Sequence, residues 1–252
     1  MARQKGIIKL QGSIGDITFY KTQDGYLARE KGGIDKERFL NDPKFQRTRE
    51  NALEFGRAGK STKLLSSSIR PVLNKIKDSR MTSRLVKTMM ALLKTDAVNA
   101  RGSRHIAMGN FDILRGFDFN SKAPLTSTIY APYSSSLNRS SGVSTIEFNS
   151  FSPDAQIIAP RGTTHFRLIS ASLDLNLLTE EFKFAQSISE NLSFAENTPS
   201  VSLVNSLDTN NSVNHQFLFL GIEFLQEVNG DHYPLNNGSF NALKIITIEV
   251  PG

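Results

Sequence analysis

A short motif of glycine and lysine in the first half of the chain is the first candidate for chemistry. Gly56-Arg57-Ala58-Gly59-Lys60-Ser61 matches the end of a phosphate-binding loop, whose backbone N–H groups surround phosphates while the lysine binds their outer oxygens. The first glycine that the motif requires falls at Glu54, and a polar stretch precedes it where an apolar strand is needed. The pattern therefore favours a glycine break between two helices over a nucleotide site.

The histidines and carboxylates form no catalytic or metal-binding pattern. The histidines lie far apart in the chain and show no metal-ligand spacing, so a zinc site would form only if the fold brought distant histidines together. They are His105, His165, His215 and His232. The carboxylates of the second half are not aligned as an acid and a base, and we expect them on solvated strand faces. We therefore predict no catalytic residue, no metal ligand and no cofactor, and we expect that the protein is not an enzyme.

The basic residues between positions 60 and 104 are the one set of residues whose pattern indicates a binding function. Eleven Lys and Arg stand against two Asp in this stretch. Such a surface can neutralise phosphates without selecting a base sequence. The stretch lacks interleaved aromatic residues and a helix-turn-helix pattern, so nucleic-acid binding is kept as the alternative function. Its candidate contacts are Lys75, Lys77, Arg80, Arg84, Lys87, Arg101 and Arg104.

The first half of the chain, which carries these basic residues, is predicted to contain both strands and helices. Asp24-Gly25 lies between two β-rich runs and predicts a β-hairpin over residues 16–30. Asp42-Pro43 predicts a helix start, with that helix ending near Gly56. Apolar residues at helical spacing predict a second helix over 64–76, in which Pro71 either makes a kink or resets the helix start, and a third over 81–93.

Short strands dominate the second half. Alternating or apolar runs predict strands at 125–130, 143–148, 164–169 and 243–250, and the run 217–225 predicts a central strand buried on both faces, with a possible bulge at Gly221. About eight strands with regular turns favour a two-sheet sandwich. The fold class is therefore α+β, a hairpin plus a small helical unit followed by an antiparallel β-sandwich. We place the domains at 1–110 and 111–252.

Composition and charge narrow the classes of protein. The chain has no cysteine, which excludes disulfides, thiolate metal sites and cysteine nucleophiles. No signal peptide or membrane-spanning run is evident, so we expect a cytoplasmic protein or part of a phage-like or released particle, without membrane insertion. Residues 1–122 carry 25 Lys and Arg against 12 Asp and Glu, whereas residues 123–252 carry 5 against 12. Opposite charges on the two halves indicate a partner, either nucleic acid or another copy of the chain.

The opening of the chain resembles a family of flavobacterial and related Bacteroidota proteins. The likeness is carried by MARQKGIIKLQGSIGDITFYK at residues 1–21, by DGYLAREKGG at 24–33 and by FQRTREN at 45–51. It continues through Ala159-Pro-Arg-Gly-Thr-Thr-His-Phe166 and Gly221-Ile-Glu-Phe224. The resemblance implies that both halves form one unit, and it carries over no activity, cofactor or catalytic residue.

The leading hypothesis is a structural protein whose copies assemble into a homo-oligomer, a filament or a phage-like particle. A lone hairpin is marginal in water, so we expect it to pair with a neighbouring subunit. Contact between unlike patches builds rings or open fibres. No small-molecule substrate is identified. The candidate interface residues are Phe19, Tyr20, Tyr26, Arg29, Lys31, Arg47, Arg49 and Arg57 on the cationic side, with Glu180, Glu181 and Glu190 opposite.

Overall fold

Two compact units make up the protein in its computed structural model, Met1–Glu50 and Asn51–Gly252. The structure describes residues 1–30, 32–33 and 35–251, without the side chains of 236 and 237. The fold is α+β, as predicted, with a four-stranded N-terminal sheet, helices in the middle and antiparallel sheets at the C-terminal end. The domain boundary predicted after residue 110 falls inside the second unit, because helices before it and strands after it share one core.

The first unit is a small antiparallel sheet followed by a short helix. The predicted hairpin is confirmed and gains two short outer strands, giving the order β1-β4-β3-β2. Gly25 begins the second hairpin strand at a φ of 115°, a conformation that glycine adopts without strain. The elements are β1 Ala2–Arg3, β2 Gly12–Ile14, β3 Ile17–Thr22, β4 Gly25–Glu30 and α1 Lys36–Asn41.

The helical region differs from the prediction at its glycines. Helix α2 runs without interruption over Gln46–Ser68, so the predicted glycine break at Gly56 and Gly59 is wrong. Its buried stripe of Ala58, Thr62 and Leu65 recurs at helical spacing, and packing of that stripe offsets the helix-weakening glycines. Helix α2 ends before Pro71, which lies in the short helix α3 Arg70–Leu73.

The third predicted helix is confirmed as α4, Met81–Lys94. Its buried face consists of Leu85, Met89, Leu92 and Leu93. Asp78 stands before it and accepts hydrogen bonds from the amides of Arg80 and Ser121 and from the side chain of Arg84. Partial burial raises the pKa of Asp78, but these hydrogen bonds outweigh it and hold the pKa well below its usual value. None of the described helices has the length and hydropathy to cross a bilayer.

Two sheets form the rest of the second unit. A three-stranded sheet has the order β10-β6-β5, and a six-stranded sheet has the path β12-β11-β7-β8, with β13 also on β11 and β9 also on β7. The bounds are β5 Tyr133–Asn138, β6 Val143–Phe148, β7 His165–Leu175, β8 Phe182–Ile188, β9 Leu192–Ser193, β10 Val201–Ser206, β11 His215–Val228, β12 Asp231–Pro234 and β13 Ala242–Glu249. Two four-residue helices, α5 Leu125–Thr128 and α6 Pro153–Gln156, lie between strands.

The six-stranded sheet lies between two hydrophobic cores. One face of β11 presents Phe217 and Phe219 to the helices, and the other presents Leu218 and Leu220 to the three-stranded sheet. The central strand buried on both faces is therefore confirmed, as is the sandwich. The strand predicted at 125–130 is wrong, since residues 125–128 form α5.

The bulge predicted at Gly221 lies elsewhere in the strand. The register of β11 against β13 shifts between Leu218 and Phe219. Gly221 has a different reason for being glycine: a Cβ there would lie 2.7 Å from the carbonyl oxygen of Ala242. Close approach of the neighbouring strand therefore excludes a side chain at this position.

Candidate functional site

The N-terminal sheet is the part of the molecule that most lacks internal packing. No described residue from Met1 to Glu50 is buried, whereas residues 51–251 hold two continuous cores. A sheet of this size has too little apolar burial to offset the loss of chain entropy on its own. The first unit therefore has little hydrophobic stabilisation of its own.

One face of this sheet is apolar. The antiparallel register places Phe19 opposite Ala28 and Ile14 opposite Ile17, so these four side chains share a face. Tyr26 joins them two residues from Ala28. The isoleucines of this face are 64% and 45% exposed. Two charged residues border this exposed apolar patch, since Glu30 lies opposite Ile17 and Lys21 lies opposite Tyr26.

The segment between β1 and β2 adds two further isoleucines. Ile7 is fully exposed and Ile8 is 80% exposed. The outer strands offer little cover at the sheet edges, since β1 has two residues and β2 has three. Short strands leave backbone N–H and C=O groups of β3 and β4 available to an added strand.

The structure brings together only part of the predicted cationic interface. Phe19 and Tyr26 lie on the apolar face, while Tyr20 and Arg29 lie on the opposite face. The Arg29 guanidinium stands 5.5 Å from the Tyr20 ring centre, a cation–π contact. Lys31 lies outside the described residues.

The remaining predicted arginines bind within their own unit. Arg47 pairs with Glu50 at 3.2 Å. The Arg49 guanidinium donates to the carbonyl oxygens of Phe39 and Asp42 at 2.6 and 3.0 Å. In the second unit, the Arg57 guanidinium donates to the carbonyl oxygens of residues 102 and 104. These arginines stabilise local loops, which leaves less cationic surface for a partner than the sequence suggests.

The predicted acidic side is not one patch. Glu180 forms an ion pair with Lys60 of the same chain. Glu181 and Glu190 are exposed but flank opposite ends of β8, a strand of seven residues that spans roughly 20 Å. These three residues therefore do not form a continuous acidic surface.

Most of the predicted nucleic-acid contacts have structural partners. Lys75 Nζ pairs with the buried Glu223 at 2.6 Å, and Arg84 binds Asp78 and the carbonyl oxygens of residues 118 and 119. Arg101 donates to Asn51, and Arg104 lies 3.8 Å from the buried Glu54. Four members of the set have exposed side chains, namely Lys77, Arg80, Lys87 and Arg101. Of the eleven basic residues between positions 60 and 104, eight are exposed and three, Lys75, Arg84 and Arg104, are partly buried, so most of the predicted cationic surface is retained.

A cluster of two histidines and one glutamate, which no spacing motif in the sequence predicts, lies at one end of the six-stranded sheet. His165, Glu227 and His232 come from β7, β11 and β12, and one possible ligand atom from each lies within 4.8 Å of the others. The two imidazole rings stand perpendicular with centres 4.3 Å apart. Sequence analysis missed the cluster because only the strand register brings residues 165 and 232 together.

A second histidine region lies at the other end of the same sheet. His215 lines a cleft of about 510 Å³ together with Phe111, Leu177 and Val213. Its ring packs against Phe111 with the two ring centres 4.1 Å apart. Burial, together with the positive charge of Arg139, lowers the pKa of His215 to about 4 against the opposing effect of Asp174. The native state therefore holds this imidazole neutral.

We expect the neutral His215 to make the protein acid-sensitive. Its native pKa of about 4 lies below the ordinary 6.5, so its contribution to the free energy of unfolding is complete above about pH 6.5 and is lost as the pH falls towards 4. Between pH 7 and pH 4.5 this loss amounts to about 2 kcal/mol. Urea unfolding at both pH values measures it. The H215Q variant should show a smaller drop, and an equal drop in both proteins would contradict this assignment.

No protein-family model, curated protein or solved structure matches this chain significantly. Its class is therefore defined by its fold: an α+β protein with a three-layer second unit and an N-terminal sheet that lacks a core. Function is inferred from the geometry described above.

Proposed function

We propose that this is a structural protein without enzymatic activity whose copies assemble, with the N-terminal sheet of one copy docking on a second copy. The observation that carries the proposal is that no described residue of Met1–Glu50 is buried, although the apolar face and the 7–8 segment expose four isoleucines. A unit of this kind gains its hydrophobic stabilisation on association.

We choose a second copy as the occupant because two regions of the chain carry opposite net charge. Residues 1–50 carry 11 Lys and Arg against 7 Asp and Glu, and residues 123–252 carry 5 against 12. Attraction between these regions favours contact between unlike parts of neighbouring copies. Contacts of this kind close into rings or extend as filaments. A filament or a component of a phage-like particle is thus the form that we propose.

Size-exclusion chromatography with light scattering and absorbance at two wavelengths tests the proposal. We expect species heavier than the 28.0 kDa chain, free of nucleic acid, whose mass rises with protein concentration and falls with salt. A 28.0 kDa species at every concentration would overturn the proposal. Co-purifying nucleic acid that salt removes, with a monomeric protein left behind, would instead support the alternative of phosphate binding by the exposed residues Lys77, Arg80, Lys87 and Arg101.

A further inference from the structure

We infer that His165, Glu227 and His232 form a binding site for a divalent transition-metal ion, with Zn²⁺ the ion that best suits their chemistry. The inference concerns the second unit and does not depend on assembly.

The strand register places the three side chains on one face of the sheet. His165 on β7 lies opposite Leu225 on β11. Glu227 is two residues further along β11 and lies opposite His232 on β12. Residues directly opposite each other, or two apart on one strand, point to the same side. The convergence is therefore a property of three hydrogen-bonded strands rather than of mobile loops.

The donor set is one that transition metals select. Two imidazole nitrogens and one carboxylate oxygen provide three ligands and leave a position open, as in many zinc and iron sites. Zn²⁺ binds nitrogen and oxygen at about 2.0–2.2 Å, which places tetrahedral ligands about 3.4 Å apart. The atoms already lie within 4.8 Å of one another. Side-chain rotations that move these atoms by about an ångström therefore bring them to binding distance.

Hydrogen bonding at the cluster is incomplete without a ligand. His232 Nε2 is buried and has no hydrogen-bond partner among the described residues. The Glu227 carboxylate is not hydrogen-bonded to His165, because Nδ1 of His165 lies 3.7 Å from Oε2 and contacts Thr164 Oγ1 instead. A buried polar atom without a partner costs free energy, and a bound cation would remove that cost at His232.

A neighbouring hydroxyl group holds the cluster in place. Thr164 Oγ1 accepts a hydrogen bond from the Glu227 amide at 2.7 Å and lies 3.1 Å from His165 Nδ1. A group that hydrogen-bonds a ligating imidazole fixes the orientation of its ring. Exposure differs across the cluster: the Glu227 side chain is 43% exposed and that of His165 is 18% exposed, so an ion has a path from solvent.

Calorimetric titration of the untagged full chain with Zn²⁺ tests the site. The chain has no cysteine, so no thiolate competes for the ion. We expect one equivalent to bind, and we expect H165A, H232A and E227Q each to weaken binding by at least about 100-fold, more than the loss of an outer-shell group costs. Co²⁺ bound to the intact site should give visible absorption that these variants lose.

H105Q and E190Q are the matched controls. His105 Nδ1 accepts a hydrogen bond from the Ala107 amide in a different loop, and Glu190 is an exposed carboxylate at the end of β8. Both controls should bind Zn²⁺ like the parent. Circular dichroism without metal checks that each variant folds, and H165N and H232N replace any alanine variant that does not. Absence of saturable binding below about 1 mM, or equal binding by an H165N/H232N variant, would overturn the site; neither result bears on the mass measured for assembly.

Discussion

Replacing Ile7 and Ile8 by aspartate is expected to dissociate the assembled protein into 28.0 kDa chains. Both side chains are at least 80% exposed, so the substitutions remove no packing inside the chain. Burying each isoleucine against a partner contributes about 2 kcal/mol, so the double variant should weaken association on the order of a thousandfold. Sedimentation velocity at matched concentrations measures the change, with chemical unfolding of the variant as the check on its fold.

A matched variant separates a specific surface from general hydrophobicity. V98D places the same charge at a valine of the second unit that is 80% exposed. This variant should assemble like the parent. If I7D/I8D keeps the parent mass, or if V98D dissociates the protein equally, the N-terminal unit is not the docking surface.

Replacing Lys75 by methionine is expected to cost about 3 kcal/mol of unfolding free energy. Lys75 Nζ donates to Glu223 Oε2 at 2.6 Å, and the Glu223 side chain is only 6% exposed. The variant leaves a buried carboxylate without its counter-charge, which costs more than the intact pair contributes. Urea unfolding with monitoring of circular dichroism measures the loss.

Two further variants test the cause of that loss. K77M removes an exposed lysine two residues away and should change stability by less than about 0.5 kcal/mol. K75M/E223L removes both charges and should recover much of the stability that K75M loses. If K75M is no more destabilising than K77M, the buried pair is not a structural contact, and Lys75 returns to the set available to phosphates.

Local sequence patterns predict correctly those elements whose conformation and burial depend on nearby residues. Asp24-Gly25 predicts the hairpin because glycine accepts positive φ, and the apolar spacing of Leu85, Met89 and Leu92 predicts α4. The continuous apolar run of β11 predicts a strand covered on both faces. Residues 125–130 mislead because threonine and isoleucine favour strands, whereas Pro124 and the side-chain hydrogen bond from Thr128 to its carbonyl oxygen fix a short helix.

The other features of the candidate sites depend on contacts between residues far apart in the chain, so sequence analysis does not predict them. The charge count predicts a basic surface, but it does not show that Lys75 and Arg84 form ion pairs with buried carboxylates. Nor does it show that Glu180 pairs with Lys60. The convergence of His165 and His232 depends on the register of three strands, which no local motif encodes. Exposure of Ile7 and Ile8 likewise becomes visible only once the cores are known.

Cross-linking between isotopically distinct copies tests the central claim most directly. A photoreactive residue at position 8, in a mixture of ¹⁴N-labelled and ¹⁵N-labelled full chains, labels whatever the 7–8 segment contacts. We expect cross-linked peptides that pair one isotope with the other, with their attachment points in the acidic second half near Glu181 or Glu190. Cross-links confined to a single isotope, at protein concentrations where the species is heavier than the 28.0 kDa chain, would show that this segment meets no second copy.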